Sequence, residues 1–227
     1  MTELYRHHRE RDAIASLLQL TDIHVYGQEN LDTVKTTPAV FVLFPHTSHL
    51  DSMLVRYVLP KEMREKLYFL AKESYWGGSK RWLGQLTNDL ILLPTEKNAI
   101  PKEAMKKARD ILDRGCYIGI APEGTRSDKE IEERPFLPGI DLLIYLTNYQ
   151  YPIVPVLLHG PAEVWPKGQS LPLPFIYRDY MLERKKISVG IGPALYFSPQ
   201  EKGAITAYVR GKCIELYRNL TTLETGV

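Results

Sequence analysis

Six short apolar runs recur along the chain: Ala39 to Phe44, Leu67 to Ala71, Leu90 to Leu93, Tyr117 to Ala121, Ile153 to His159 and Ile187 to Ile191. Runs this short, rich in Val, Ile, Leu and aromatics, read as strands that are mostly buried on both faces. Helical patterns lie between them. Pro101 to Arg114 opens with proline in its first turn, places Ala104, Ala108, Ile111 and Leu112 on one side and stops before Gly115, which predicts a helix. Helices are also predicted for Leu50 to Leu59, about Lys80 to Leu86, Gly139 to Asn148 and about Gln200 to Leu220. Strands alternating with helices imply an α/β sheet with helices packed on its faces.

A length of 227 residues suits one such core. The 29 basic and 27 acidic side chains leave a net charge of +2, so no long-range field for nucleic acid is expected. Cys116 and Cys213 lie far apart, which fits reduced thiols in the cytoplasm and no disulfide framework. No apolar run reaches the roughly 20 residues that cross a bilayer. Lying on a membrane needs only amphipathicity. Residues 1–24 form a separate segment, in which Arg6, His7, His8, Arg9 and Arg11 run into Ile14, Leu17, Leu18 and Leu20. This predicts either a basic membrane-surface helix or one docked on the protein's own core; residues 25–227 form the main domain. Gly160 to Tyr180, with several prolines and aromatics and no periodicity, reads as a long loop.

The stretch "LFPHTSHLDSM", residues 43–53, ends a strand at Pro45 and starts a helix near Leu50. His46 then precedes the helix while Asp51 lies in its first turns. The carboxylate can reach back to one imidazole nitrogen and leave the other as a base for a hydroxyl proton. Two other readings fit the same residues. Ser48 and Asp51 match the Ser-x-x-Asp pattern of a capping box, and His46, His49 and Asp51 resemble part of a metallo-hydrolase pattern with the wrong spacing and no final histidine. No metal site is expected.

A second stretch, "YIGIAPEGTRSD" at 117–128, runs a buried strand into a turn. Gly124 serves a turn, or permits close backbone approach to a ligand. Arg126 is a solvated charge, or a planar fork for a phosphate. Together the two stretches resemble the glycerolipid acyltransferase superfamily, most closely the 1-acylglycerol-3-phosphate acyltransferases. The H-x-x-x-x-D block is His46 and Asp51, and the E-G-T-R block is Glu123, Gly124, Thr125 and Arg126. Between them Gly84, Pro94 and Lys97 match a second block, with Lys97 where the family has arginine. A strand ending in V-P-V follows, with Pro155. "FLPG" places Leu137 where the family often has lysine.

The resemblance implies a single α/β domain with a mixed central sheet flanked by helices, as in glycerol-3-phosphate acyltransferases. It also implies transfer of a fatty acyl group from acyl-CoA or acyl carrier protein to a lysophospholipid hydroxyl, with the thioester as co-substrate and no cofactor. In that reaction His46 is the general base and Asp51 orients its ring. Arg126 and Lys97 hold the acceptor's phosphate, and Glu123, Gly124, Thr125 and Pro155 belong to the substrate site. Backbone N–H groups at the helix start after His46 are the expected oxyanion donors. Peripheral membrane binding is expected through the N-terminal segment and the aromatics of Trp165 to Tyr180. A metal-dependent hydrolase and a noncatalytic lipid-binding relative are the alternatives.

Overall fold

The computed structural model describes residues 21–72, 90–93, 102–169, 172–173 and 184–225. In chain order the strands and helices are β1 (Asp22–Tyr26), β2 (Val40–Phe44), α1 (Asp51–Val58), α2 (Lys61–Arg64), β3 (Leu67–Lys72), β4 (Leu90–Leu93), α3 (Lys102–Asp113), β5 (Tyr117–Ile120), α4 (Gly139–Leu146), β6 (Ile153–His159), α5 (Pro161–Val164), β7 (Lys186–Ile191) and α6 (Ile205–Thr225). The seven strands among the described residues form one sheet in the order β1-β7-β6-β2-β5-β3-β4. All neighbours are parallel except β6 and β7, so the sheet is mixed and flanked by helices.

Alternate residues of β2 point into two separate cores. Phe41 and Leu43 pack with Leu50, Leu54 and Val55 around α1. Val40, Val42 and Phe44 pack with α3, α4 and α6 on the other face. Every residue of β2 is therefore buried, which is why it reads as an unbroken apolar run. In β5, Gly119 leaves room for the Phe69 ring of β3, since a Cβ there would meet Phe69 Cδ1 at 2.3 Å.

Six strands coincide with the apolar runs to within a residue or so. β1 was not among them: it is an edge strand with no fully buried residue, so the apolar signal is missing. It also crosses the boundary expected between residues 24 and 25. The N-terminal helix to residue 20 and the helix at 80–86 lie outside the described residues. α6 starts later than Gln200 because Pro199–Glu201 forms a 3-10 turn, closed by a Ser198/Glu201 capping box, and Gly203 follows with φ 83°. α6 then continues past Leu220 to Thr225. The start of the expected 160–180 loop is ordered by α5, and Trp165 is buried. No helix among the described residues is long and apolar enough to cross a membrane.

Candidate active site

β2 and β5 are parallel neighbours with Val42 opposite Ile120. The two segments that follow them, at 45–51 and 121–134, therefore leave the same edge of the sheet side by side. That edge, at the carboxyl ends of parallel strands, is where open α/β sheets place ligands.

His46 Nδ1 lies 2.6 Å from Asp51 Oδ2. The same oxygen accepts the N–H groups of Thr47 and Ser48, each at 3.0 Å. An oxygen already taking two donors is an acceptor, so Nδ1 carries the proton in the third bond and the lone pair sits on Nε2. Nε2 bonds to no other described residue, and the His46 side chain is 25% exposed while Asp51 is fully buried. The helix-start reading and the imidazole-orienting reading are thus both realised, by one oxygen. The capping box is only half made. Asp51 reaches back to the Ser48 N–H, but Ser48 Oγ accepts from Leu50 N–H at 3.1 Å and donates to the Trp165 carbonyl at 2.6 Å.

The backbone of His46 is held from the other side. Its N–H donates to Glu123 Oε2 at 2.5 Å, and its carbonyl accepts the Ser127 N–H at 3.1 Å. Glu123 Oε1 faces Arg134 Nη1 at 3.3 Å, and both side chains are almost fully buried. Burial raises the Glu123 carboxyl above its usual range, while the His46 N–H bond and then the charge of Arg134 pull it back. Glu123, expected in the substrate site, therefore spends both oxygens on the protein. Arg134 itself was missed. In "EIEERPF" it reads as one more surface charge, and only tertiary contacts bury it.

Gly124 adopts φ 69°, which glycine adopts without strain. A Cβ there would meet Leu137 Cδ1 at 2.5 Å. Leu137 is half exposed and its N–H donates to Pro122 O at 2.8 Å, so an apolar side chain covers the turn where the family often has lysine. Thr125 is exposed and Arg126 half-buried. Burial lowers the Arg126 guanidinium, and the charge of Asp51 acts against that, which places this cation in the field of the His46/Asp51 pair.

Lys97 lies outside the described residues. Pro155 is in mid-strand on β6, opposite Val42 and two residues before the paired stretch ends at Phe44 and Leu157. It is buried, and its carbonyl accepts the Gly192 N–H at 2.8 Å. β6 pairs Val156 with Ile191 but Ile153 with Leu195, so the return strand carries an extra residue opposite Pro155. A bulge there is where a proline, lacking its N–H, is tolerated. Trp165, expected to face a membrane, is 5% exposed and lies against His49 with ring centroids 4.9 Å apart. The N–H groups of His46, Thr47, Ser48 and Leu50 all end on protein acceptors.

His159 ends β6 at the same sheet edge, with Nδ1 2.8 Å from Tyr217 Oη and Nε2 3.3 Å from Glu224. Among the described residues, no group of three or more His, Cys, Asp or Glu side chains is placed to hold a metal ion.

A family model described as Acyltransferase matches residues 22–159, starting at the first residue of β1. Among curated proteins, the 1-acyl-sn-glycerol-3-phosphate acyltransferase of Bacillus subtilis (strain 168) is 22% identical over 151 residues, covering 65% of this chain and 69% of that protein. Among solved structures, the 1-acyl-sn-glycerophosphate (LPA) acyltransferase PlsC of Thermotoga maritima matches with a TM-score of 0.62 at 20% identity. That match covers 98% of this chain and 79% of PlsC and bears on the fold.

Proposed function

This chain belongs to the acyltransferase family, and from that premise we propose that it moves a fatty acyl group from a thioester, acyl-CoA or acyl carrier protein, to the hydroxyl of a lysophospholipid such as 1-acylglycerol-3-phosphate. The observation that carries the reading is the 2.6 Å bond between His46 Nδ1 and Asp51, which leaves Nε2 without a bond to any other described residue. The name of the Bacillus subtilis relative supports the acceptor class.

In the reaction, Nε2 takes the acceptor's hydroxyl proton as its oxygen attacks the thioester carbonyl carbon. A C–O bond forms, the C–S bond breaks, and the imidazolium returns the proton to the departing thiolate. Asp51 stabilises the imidazolium in between. The thioester is a co-substrate and no cofactor takes part. Arg126 and Lys97 hold the acceptor's phosphate, while Gly124 and Thr125 shape the turn beside it. Because the acceptor resides in a bilayer, the enzyme works at the cytoplasmic membrane surface, bound peripherally.

The test is thiol release from palmitoyl-CoA with and without lysophosphatidic acid, for the wild type and His46→Ala. Acceptor-dependent release that the variant abolishes is expected; undiminished release by His46→Ala would rule out the base. Arg126→Met should raise the KM of a phosphorylated acceptor more than that of a neutral one, and equal effects would remove the phosphate role.

A further inference from the structure

We propose that Arg134 is a positioning residue for His46, acting through Glu123 to fix the stretch of backbone that carries the imidazole. The inference rests on the reading of His46 as the base.

Three attachments define where the His46 ring sits. Its Nδ1 is held by Asp51 and its N–H by Glu123, and its carbonyl by the Ser127 N–H with Arg134 Nη1 at 3.5 Å. The last two converge on one guanidinium. Arg134 is itself tied at both ends. Its Nε donates to Lys129 O at 2.7 Å, and its carbonyl accepts Arg210 Nε at 2.7 Å from α6. Arg210 also donates to the Glu132 carbonyl, and Arg218 to the Glu132 carboxylate at 2.6 Å, so the C-terminal helix backs the 130–134 segment.

A buried ion pair is a poor way to gain stability, since apolar residues of similar volume do as well or better. What an apolar pair cannot do is accept the His46 N–H in a fixed direction. A carboxylate can, provided that a buried countercharge keeps it ionised and aimed. Arg134 supplies that countercharge from a position that reaches the His46 carbonyl at the same time. Both peptide groups flanking the His46 Cα are thereby referred to one rigid centre. Nε2 must sit within about 3 Å of a hydroxyl in the reacting complex, so small displacements of this backbone are felt in turnover more than in binding.

The experiment measures kcat and the KM of each substrate for the wild type, Arg134→Lys, Arg134→Met and the paired Glu123→Gln/Arg134→Met exchange, with His46→Ala as control. Thermal melts accompany each. The paired exchange removes both buried charges and serves if Arg134→Met alone does not fold. A misplacement of about 1 Å costs on the order of 100-fold. The expected result is a fall in kcat of that order for Arg134→Met, at least about tenfold for the paired exchange, partial rescue by lysine, and KM values essentially unchanged. In proton NMR, the downfield Nδ1–H resonance of His46 should shift or broaden in the same variants. Loss of turnover in His46→Ala together with wild-type kcat in the folded Arg134 variants would overturn the positioning role alone. Wild-type turnover in His46→Ala would overturn the base assignment and this inference with it.

Discussion

Replacing Asp51 by asparagine keeps the shape at a fully buried position and removes the charge. Three bonds end on Oδ2, from Thr47 N–H, Ser48 N–H and His46 Nδ1. Each passes from charge-assisted to neutral, a loss of about 1 kcal/mol apiece. Relief from burying an ion offsets part of that. The net cost is about 1–2 kcal/mol, a fall in Tm of roughly 2–8 °C for a chain of this size. Turnover suffers more. When Nε2 takes the proton, the imidazolium faces an amide in place of a carboxylate, and at about 4 Å between charge centres the lost attraction is about 4 kcal/mol at an effective dielectric near 20. That corresponds to roughly a 1,000-fold drop in kcat. Asp51→Ala should instead leave the three donors without an acceptor and cost about 3 kcal/mol or more in stability. Thermal melts and steady-state thiol release separate the two. A folded Asp51→Asn enzyme whose kcat stays within about tenfold of wild type would refute the claim that this carboxylate stabilises the imidazolium.

Burial pushes the Tyr217 phenol from its ordinary 10.0 to about 12. A phenol held neutral in the fold adds stability that is complete below about pH 10 and disappears as pH rises toward 12, roughly 2–3 kcal/mol in all; urea melts of Tyr217→Phe should lack that alkaline limb. Gly124→Ala must accept φ 69° and displace the end of Leu137. It should cost about 1–2 kcal/mol in a denaturant melt, with its larger effect on the acceptor's KM. Cys213 is fully buried, and burial raises its thiol strongly, so a thiol reagent should label only Cys116 in the native protein and both cysteines in denaturant.

The strands that were legible in the sequence are those whose two faces are both covered. β2 and β6 announce themselves because almost every residue is buried, whereas β1 alternates polar and half-buried residues at the sheet's edge and does not. Helix ends were misjudged where a local device intervened, as at the Ser198/Glu201 turn before α6. Pro155 shows a feature of another kind. Its place in a matched block invited a ligand role, while its register opposite Val42 and the bulge at Gly192 give it a packing role that depends on which strand returns beside β6.

The site divides along the same line. The His46 to Asp51 contact spans five residues and one turn, so strand end, helix start and the reach of a carboxylate suffice to anticipate it. The hold on the His46 backbone needs β5 beside β2 in parallel register, then a charge eleven residues beyond Glu123 folded back under α6. Neither condition leaves a periodic or local trace. The side chain of His46 is thus oriented by the helix that follows it, and its main chain by distant segments. These are separable constraints with separable signatures. Changes at Asp51 should act on the imidazolium and on the start of α1, whereas changes at Arg134 should leave the ring's carboxylate partner in place and move the atom that must meet the hydroxyl. A double-mutant cycle between Asp51→Asn and Arg134→Lys should therefore be close to additive in log kcat if the two act through different atoms of His46. Strong coupling would mean that both act through one shared displacement of the ring.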